Sequence, residues 1–161
     1  MRNIYVFLIF IICAGCTSGP SKGALFSMHE EPGKDSAIIY FYISEKEFGS
    51  TACTIVTVDE EERGCIGSPG FVKVVLSPGE HNFSFRPDAL LDLKVEMRKF
   101  SAAVEGEKVY YLESRKIETE EEREEAWQSN YVNALGGFTV AWLPVEEPLA
   151  LEHLKELRAW Q

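Results

Sequence analysis

The sequence predicts a mainly β protein, an antiparallel β-sandwich or small barrel with a C-terminal helix packed on it. Three observations predict it. About six or seven short runs rich in Val, Ile, Phe and Tyr recur roughly every 8 to 12 residues, turn residues separate them, and no helical apolar period interrupts them before the acidic stretch that begins at Glu118.

The run Ala37-Ile38-Ile39-Tyr40-Phe41-Tyr42-Ile43 is the strongest strand signal, and its lack of polar alternation predicts cover on both faces. Ahead of it, Ala24 to Met28 reads as a short edge strand or covering segment, closed by the turn residues Pro32-Gly33-Lys34-Asp35. Ser44 to Ser50 reads as a loop leading into a strand at Ala52 to Val58. Asp59 to Gly64 is a polar connection ending in a glycine, which predicts a hairpin with Cys53 to Val58 on one side and Cys65 to Gly67 on the other. Ser68-Pro69-Gly70 turns the chain into Phe71 to Leu76.

Ser77-Pro78-Gly79-Glu80 carries Pro and Gly where a type II turn favours them. His81-Asn82-Phe83-Ser84-Phe85 then alternates, which sends Phe83 and Phe85 inward and Asn82 and Ser84 to water, until Pro87 ends the strand. Leu91 to Met97 alternates apolar and charged residues and reads as a half-buried strand. Glu105-Gly106-Glu107 reverses the chain, and Lys108 to Glu113 pairs back.

The composition changes at Ile117. An insertion at 118–128 carries six glutamates between Glu118 and Glu125 and reads as a short exposed helix or a solvated loop. It lacks the Asp/Asn alternation and ordering Gly of a calcium loop, so no metal ligands are assigned. Asn133 to Gly137 breaks the chain before a late strand, Phe138 to Leu143, ended by Pro144. The helix is placed at 148–159, with Pro148 in its first turn, glutamates ahead of it and Lys155 and Arg158 near its negative end. Leu151, Leu154 and Leu157 share a face, with Trp160 close by, that packs on the sheet.

The first sixteen residues decide where this domain folds. Arg2 precedes an apolar run from Ile4 to Ile12, and Ala14-Gly15 are small residues directly before Cys16. The run is shorter than the roughly 20 residues needed to span a bilayer. Ala-Gly-Cys resembles the lipobox of bacterial lipoproteins, with Cys13 where such boxes usually carry Leu. That resemblance implies lipidation at Cys16 and removal of residues 1–15 as a signal peptide. The alternative is an ordinary secretory signal cut near Gly15 or Gly19. Residues 16–34 then form the lipidated cysteine, tether and N-terminal segment, and 35–161 the domain.

Composition narrows the partners. The whole chain carries a formal charge of -10, and loss of Arg2 with the signal makes it more negative still. Nucleic acid and anionic lipid surfaces are repelled by such a field, so membrane attachment falls to the acyl chains. Cys53 and Cys65 are the remaining cysteines of the exported body; in an oxidising compartment they form a disulfide, or else stay as two buried thiols. No zinc or thioredoxin-type spacing is present.

Catalytic chemistry finds little support. The histidines are His29, His81 and His153. His81 follows a tight turn, where a ring nitrogen bonds turn backbone. Ser77, His81 and Asp88 lie close in sequence, but Ser77 is not in a strained nucleophile elbow. No catalytic residue, cofactor or phosphate-cradling loop is assigned, and the chain is not read as an enzyme.

Taken together, the lipobox, the Ile38 to Ile43 strand, the Val58-Asp59 hairpin, the turn and strand Leu76-Ser77-Pro78-Gly79-Glu80-His81-Asn82-Phe83 and the strand Val109-Tyr110-Tyr111-Leu112 resemble the bacterial lipoproteins of domain-of-unknown-function family 2846. The resemblance spans roughly Asp35 to Glu113. It implies an all-β envelope lipoprotein and brings no established activity. The Cys53 and Cys65 pair and the glutamate-rich insertion depart from the family pattern. The expected function is an anchored, non-catalytic domain that meets another envelope protein, with Trp127, Tyr131 and Trp142 as its interaction surface. The alternative is capture of a glycan or small hydrophobic molecule. Thr17 follows the cysteine in place of Asp, and with the sorting rule of some Gram-negative lipoproteins the resemblance implies an outer rather than an inner membrane.

Overall fold

The computed structural model describes residues 21–27, 30–45, 53–88, 99–132 and 138–159. Among them, nine strands form two stacked sheets. In chain order they are β1 (Ala37–Ile43), β2 (Thr54–Val58), β3 (Glu61–Ile66), β4 (Gly70–Leu76), β5 (Gly79–Pro87), β6 (Lys99–Val104), β7 (Val109–Lys116), β8 (Gln128–Val132) and β9 (Phe138–Pro144). Two helices, α1 (Glu120–Glu125) and α2 (Glu147–Leu154), complete them. One sheet has the order β4-β1-β7-β9-β8 and the other β3-β2-β5-β6, so the sandwich holds and no closed barrel forms.

Every residue of β1 is buried, as the unbroken apolar run requires. Its odd-numbered side chains, Ile39, Phe41 and Ile43, face the second sheet and meet Val56, Val58, Phe83, Phe85, Leu112 and Trp142 in the main core. Its even-numbered ones, Ile38, Tyr40 and Tyr42, face outward and are covered by Ala150 and Leu154 of α2, with Leu157 beyond it. Three layers therefore stack on one strand.

The expectation of a purely antiparallel arrangement is corrected at β7, which runs parallel to β1 from Ile38 opposite Val109 to Tyr42 opposite Glu113. The whole second sheet intervenes in sequence between them, which gives the chain room for a crossover. The hairpin is also tighter than the polar run Asp59 to Gly64 predicts. Asp59 and Glu60 alone form the turn, both at positive φ, and β3 begins at Glu61. A bulge between Val56 and Thr57 then shifts the register, so Cys65 stands opposite Ile55. Cys53 and Cys65 bond diagonally, with Cα atoms 5.6 Å apart.

Three other expectations change. Ser84 is buried rather than solvated, in the middle of β5 between Thr57 of β2 and Lys99 of β6. The strands β6 and β8 arise where none is expected, while the expected strand at Leu91 to Met97 and the break at Asn133 to Gly137 lie outside the described residues. The acidic insertion takes the first of its two expected forms, an exposed helix without buried residues, started by a capping box in which Thr119 and Glu122 bond each other's backbone. The C-terminal helix stops at Leu154, short of Ala159. Leu157 to Ala159 run extended, and Trp160 lies outside the described residues.

That extended tail has a partner. Residues 21–27 form a strap along it: the Gly23 amide donates to the Ala159 carbonyl at 2.8 Å, Ala159 to Ala24 at 2.8 Å and Phe26 to Leu157 at 3.0 Å. Any side chain at position 23 would run into the Ala159 carbonyl, so the approach requires glycine. Phe26 packs edge-on against Tyr40 and Phe71 with centroids 5.3 and 5.7 Å away. Of the segment Ala24 to Met28, residues 24–27 are thus a cover that joins the fold, and Met28 lies outside the described residues.

Candidate functional site

Polar groups gather at two places. The first is the turn end of the second sheet. His81 is the third residue of β5, its Nε2 donates to the Ser77 carbonyl at 2.8 Å, and its Nδ1 lies 2.6 Å from Asp59 Oδ2. The other Asp59 oxygen accepts the Asn82 amide at 2.9 Å. Both ring nitrogens face acceptors, so the imidazole is doubly protonated when the bonds are made. Sequence reading finds the Ser77 bond, which is local, and misses Asp59, which arrives from another hairpin.

The electrostatics follow from this geometry. Burial opposes a charge on His81, but the Asp59 carboxylate and the Ser77 carbonyl outweigh it and raise the imidazole above its ordinary value, against a smaller opposing push from Arg63. The Asn82 amide, then His81, hold the Asp59 carboxyl below the usual range. The stabilisation from His81 is present in full below the unfolded histidine value near 6.5 and is lost as pH rises through the raised folded value. That from Asp59 is present above its unfolded value near 3.8 and is lost as pH falls through the lowered one. The pair therefore works between those limits. His81→Gln is expected to cost about 2 kcal/mol near pH 6, the worth of a charge-assisted bond. The difference from the unsubstituted protein narrows as pH rises to 9. Urea unfolding across that range reads it, and a pH-independent difference would refute the assignment.

The second cluster lies under α2. The Glu113 carboxylate on β7 is 3% exposed, accepts the Ser44 hydroxyl, and has Arg115 Nε at 3.6 Å and His153 Nδ1 at 3.5 Å. Tyr42 Oη stands 3.4 Å from the same His153 nitrogen, and Arg115 reaches on to Glu122 at 2.6 Å. Burial, then the Glu113 charge, push the Tyr42 phenol up, against Arg115. Ser44 and His153 both turn toward one carboxylate. A nucleophile relay needs the imidazole between hydroxyl and acid. The arrangement instead ties α2 and α1 to β7 through His153, Glu113, Arg115 and Glu122.

The expected interaction surface is not brought together. Trp142 is 4% exposed and belongs to the core, stacked on Phe85 with centroids 4.5 Å apart. It sits on the inward face of β9, between Ala141 and Leu143, which are buried on the outward one with Ile117. Trp127 is half-buried against Phe83, Phe100 and Tyr110. Tyr131 is placed in β8 opposite Thr139, and its side chain lies outside the described residues, as do Cys16 and His29. Ser77 contributes its carbonyl to His81, and Asp88 donates its amide to the Cys53 carbonyl at 2.8 Å. The imagined Ser77, His81 and Asp88 set does not assemble, because Asp59 takes the place beside the imidazole. No protein-family model and no curated protein matches the chain.

Proposed function

We propose that the protein is a bacterial envelope lipoprotein, anchored through Cys16, which presents its β-sandwich without catalysis to another envelope protein. The Arg2 to Cys16 pattern supports the anchor. The observation that carries the interaction is β6. It pairs with β5 on one side, and among the described residues no strand pairs with its other side. Its outward positions Lys99, Ser101 and Ala103 are exposed. By contrast, the edge strand β3 carries Glu61, Glu62 and Arg63, charges of the kind that guard an edge. Lys99 is the one charge on β6, and past it an edge with the small exposed side chains Ser101 and Ala103 accepts an added strand from a partner, whose main chain supplies the bonds.

A photo-crosslinking residue at Ala103 in intact cells tests this. The expected outcome is one envelope protein captured in near-equal amount, absent when the residue is moved to Glu60 and lost in Cys16→Ser. Equal capture from both positions, or none, would remove the interaction reading.

A further inference from the structure

We propose that the corner of the domain formed by Ser21, Lys22, Leu25, Pro69, Glu156 and Arg158 rests on the headgroup layer of the membrane that holds Cys16, a reading that rests on the lipid anchor. The strap shortens the tether that the sequence places within residues 16–34. Ser21 already donates its amide to Pro69 at 3.3 Å and Gly23 to Ala159, while Arg158 Nη1 donates to the Gly23 carbonyl at 3.2 Å. Arg158 is itself held, because its carbonyl accepts the Phe71 amide of β4 at 3.2 Å. From Ser21 onward the chain belongs to the folded domain. Five residue steps separate it from Cys16, so the leash spans at most about 18 Å however it is arranged. This is shorter than the domain itself, and the corner where the strap begins has nowhere to lie but near the bilayer.

The chemistry of that corner fits a zwitterionic surface. A shallow groove of about 430 Å³ is lined by Ser21, Lys22, Pro69, Glu156, Leu157 and Arg158. Two cations stand beside one carboxylate, in a chain whose formal charge is -10. Lys22 and Arg158 suit headgroup phosphates and Glu156 a headgroup ammonium, where a uniformly acidic face would be held off. Leu25, 51% exposed on the same strap, offers an apolar side chain to the interface.

The opposite end follows. β1 runs from the far end at Ala37 to this end at Ile43, which pairs with Gly70. The turns at Gly33 to Ser36 and Glu105 to Glu107, joined by the Glu107 amide on the Ser36 carbonyl, therefore lie about 20 Å along β1 from this corner, on the side away from the membrane. A partner of this domain must itself be embedded in, or close to, the same membrane.

The test uses full-length protein purified from membranes and placed in phosphatidylcholine and phosphatidylethanolamine vesicles carrying spin-labelled headgroups. Fluorophores are attached at Lys155→Cys or Asp35→Cys, both exposed positions. The label at 155 is expected to be quenched several-fold more than that at 35, and a Gly/Ser insertion of about 15 residues after Thr17 should erase the difference, because such a leash lets the domain turn freely. Mass measurement of the N-terminus separates the two ways of failing. Equal quenching in protein bearing acyl chains on Cys16 overturns the orientation alone, and absence of acyl chains overturns the anchor and the orientation with it.

Discussion

Phe41→Ala is expected to lower the free energy of unfolding by about 3–5 kcal/mol, most of the stability of a marginal domain. Phe41 is fully buried in β1, which lies between β4 and β7. Its ring meets Phe83 at 5.9 Å, Phe85 at 5.2 Å and Trp142 at 5.5 Å, so it joins both sheets at the middle of the core. Removing it leaves a void that β1 cannot collapse into, because both of its edges are fixed by ladder bonds. A neighbouring comparison isolates the cause. Val75→Ala on β4 removes an apolar side chain that is 52% exposed and should stay within about 0.5 kcal/mol of the parent. Urea unfolding followed by tryptophan fluorescence measures both. A Phe41→Ala loss no larger than that of Val75→Ala would mean that the sheets do not meet through this residue.

What was legible in the sequence tracks how locally each feature is determined. β1 is readable because an unbroken apolar septet has no solvated way to exist. β6 and β8 are not, because Lys99-Phe100-Ser101-Ala102-Ala103-Val104 and Gln128-Ser129-Asn130-Tyr131-Val132 have weak intrinsic preference and owe their extension to β5 and β9. Helical propensity carries Leu151 to Leu157 as one stripe, but the strap offers the backbone at Leu157 and Ala159 a set of sheet-like bonds that a helix would forgo. The same reason hides Asp59 from His81 and Ser44 from Glu113. Their partners are 22 and 69 residues away and are chosen by topology, which spacing does not encode. Trp142 lies in the core for a different reason. Aromatics favour both cores and interfaces, and only the alternation of β9 against Ala141 and Leu143 decides between them.

Reducing the Cys53–Cys65 bond should cost about 3 kcal/mol, since it closes a loop of 12 residues and the reduced chain regains that loop's freedom when unfolded. The two cysteines form a small cluster with Ile55 and are 4% and 7% exposed, so reduction leaves two thiols in a site that still packs. The loss is therefore one of chain constraint rather than of contacts. This can be checked against position: the bond spans the base of the β2–β3 hairpin, and Asp59, at its tip, receives His81 and Asn82 from β5. If the bond acts through the unfolded chain alone, reduction lowers the urea midpoint by roughly 1–2 M while the pH dependence carried by His81 keeps its amplitude. If it also holds the tip in place, reduction lowers the midpoint and flattens that dependence together. Unfolding of oxidised and reduced protein at pH 6 and pH 9 distinguishes the two. The rigid ladder from Val56 to Val58 against Phe85 to Phe83, which is independent of the bond, leads us to expect the first.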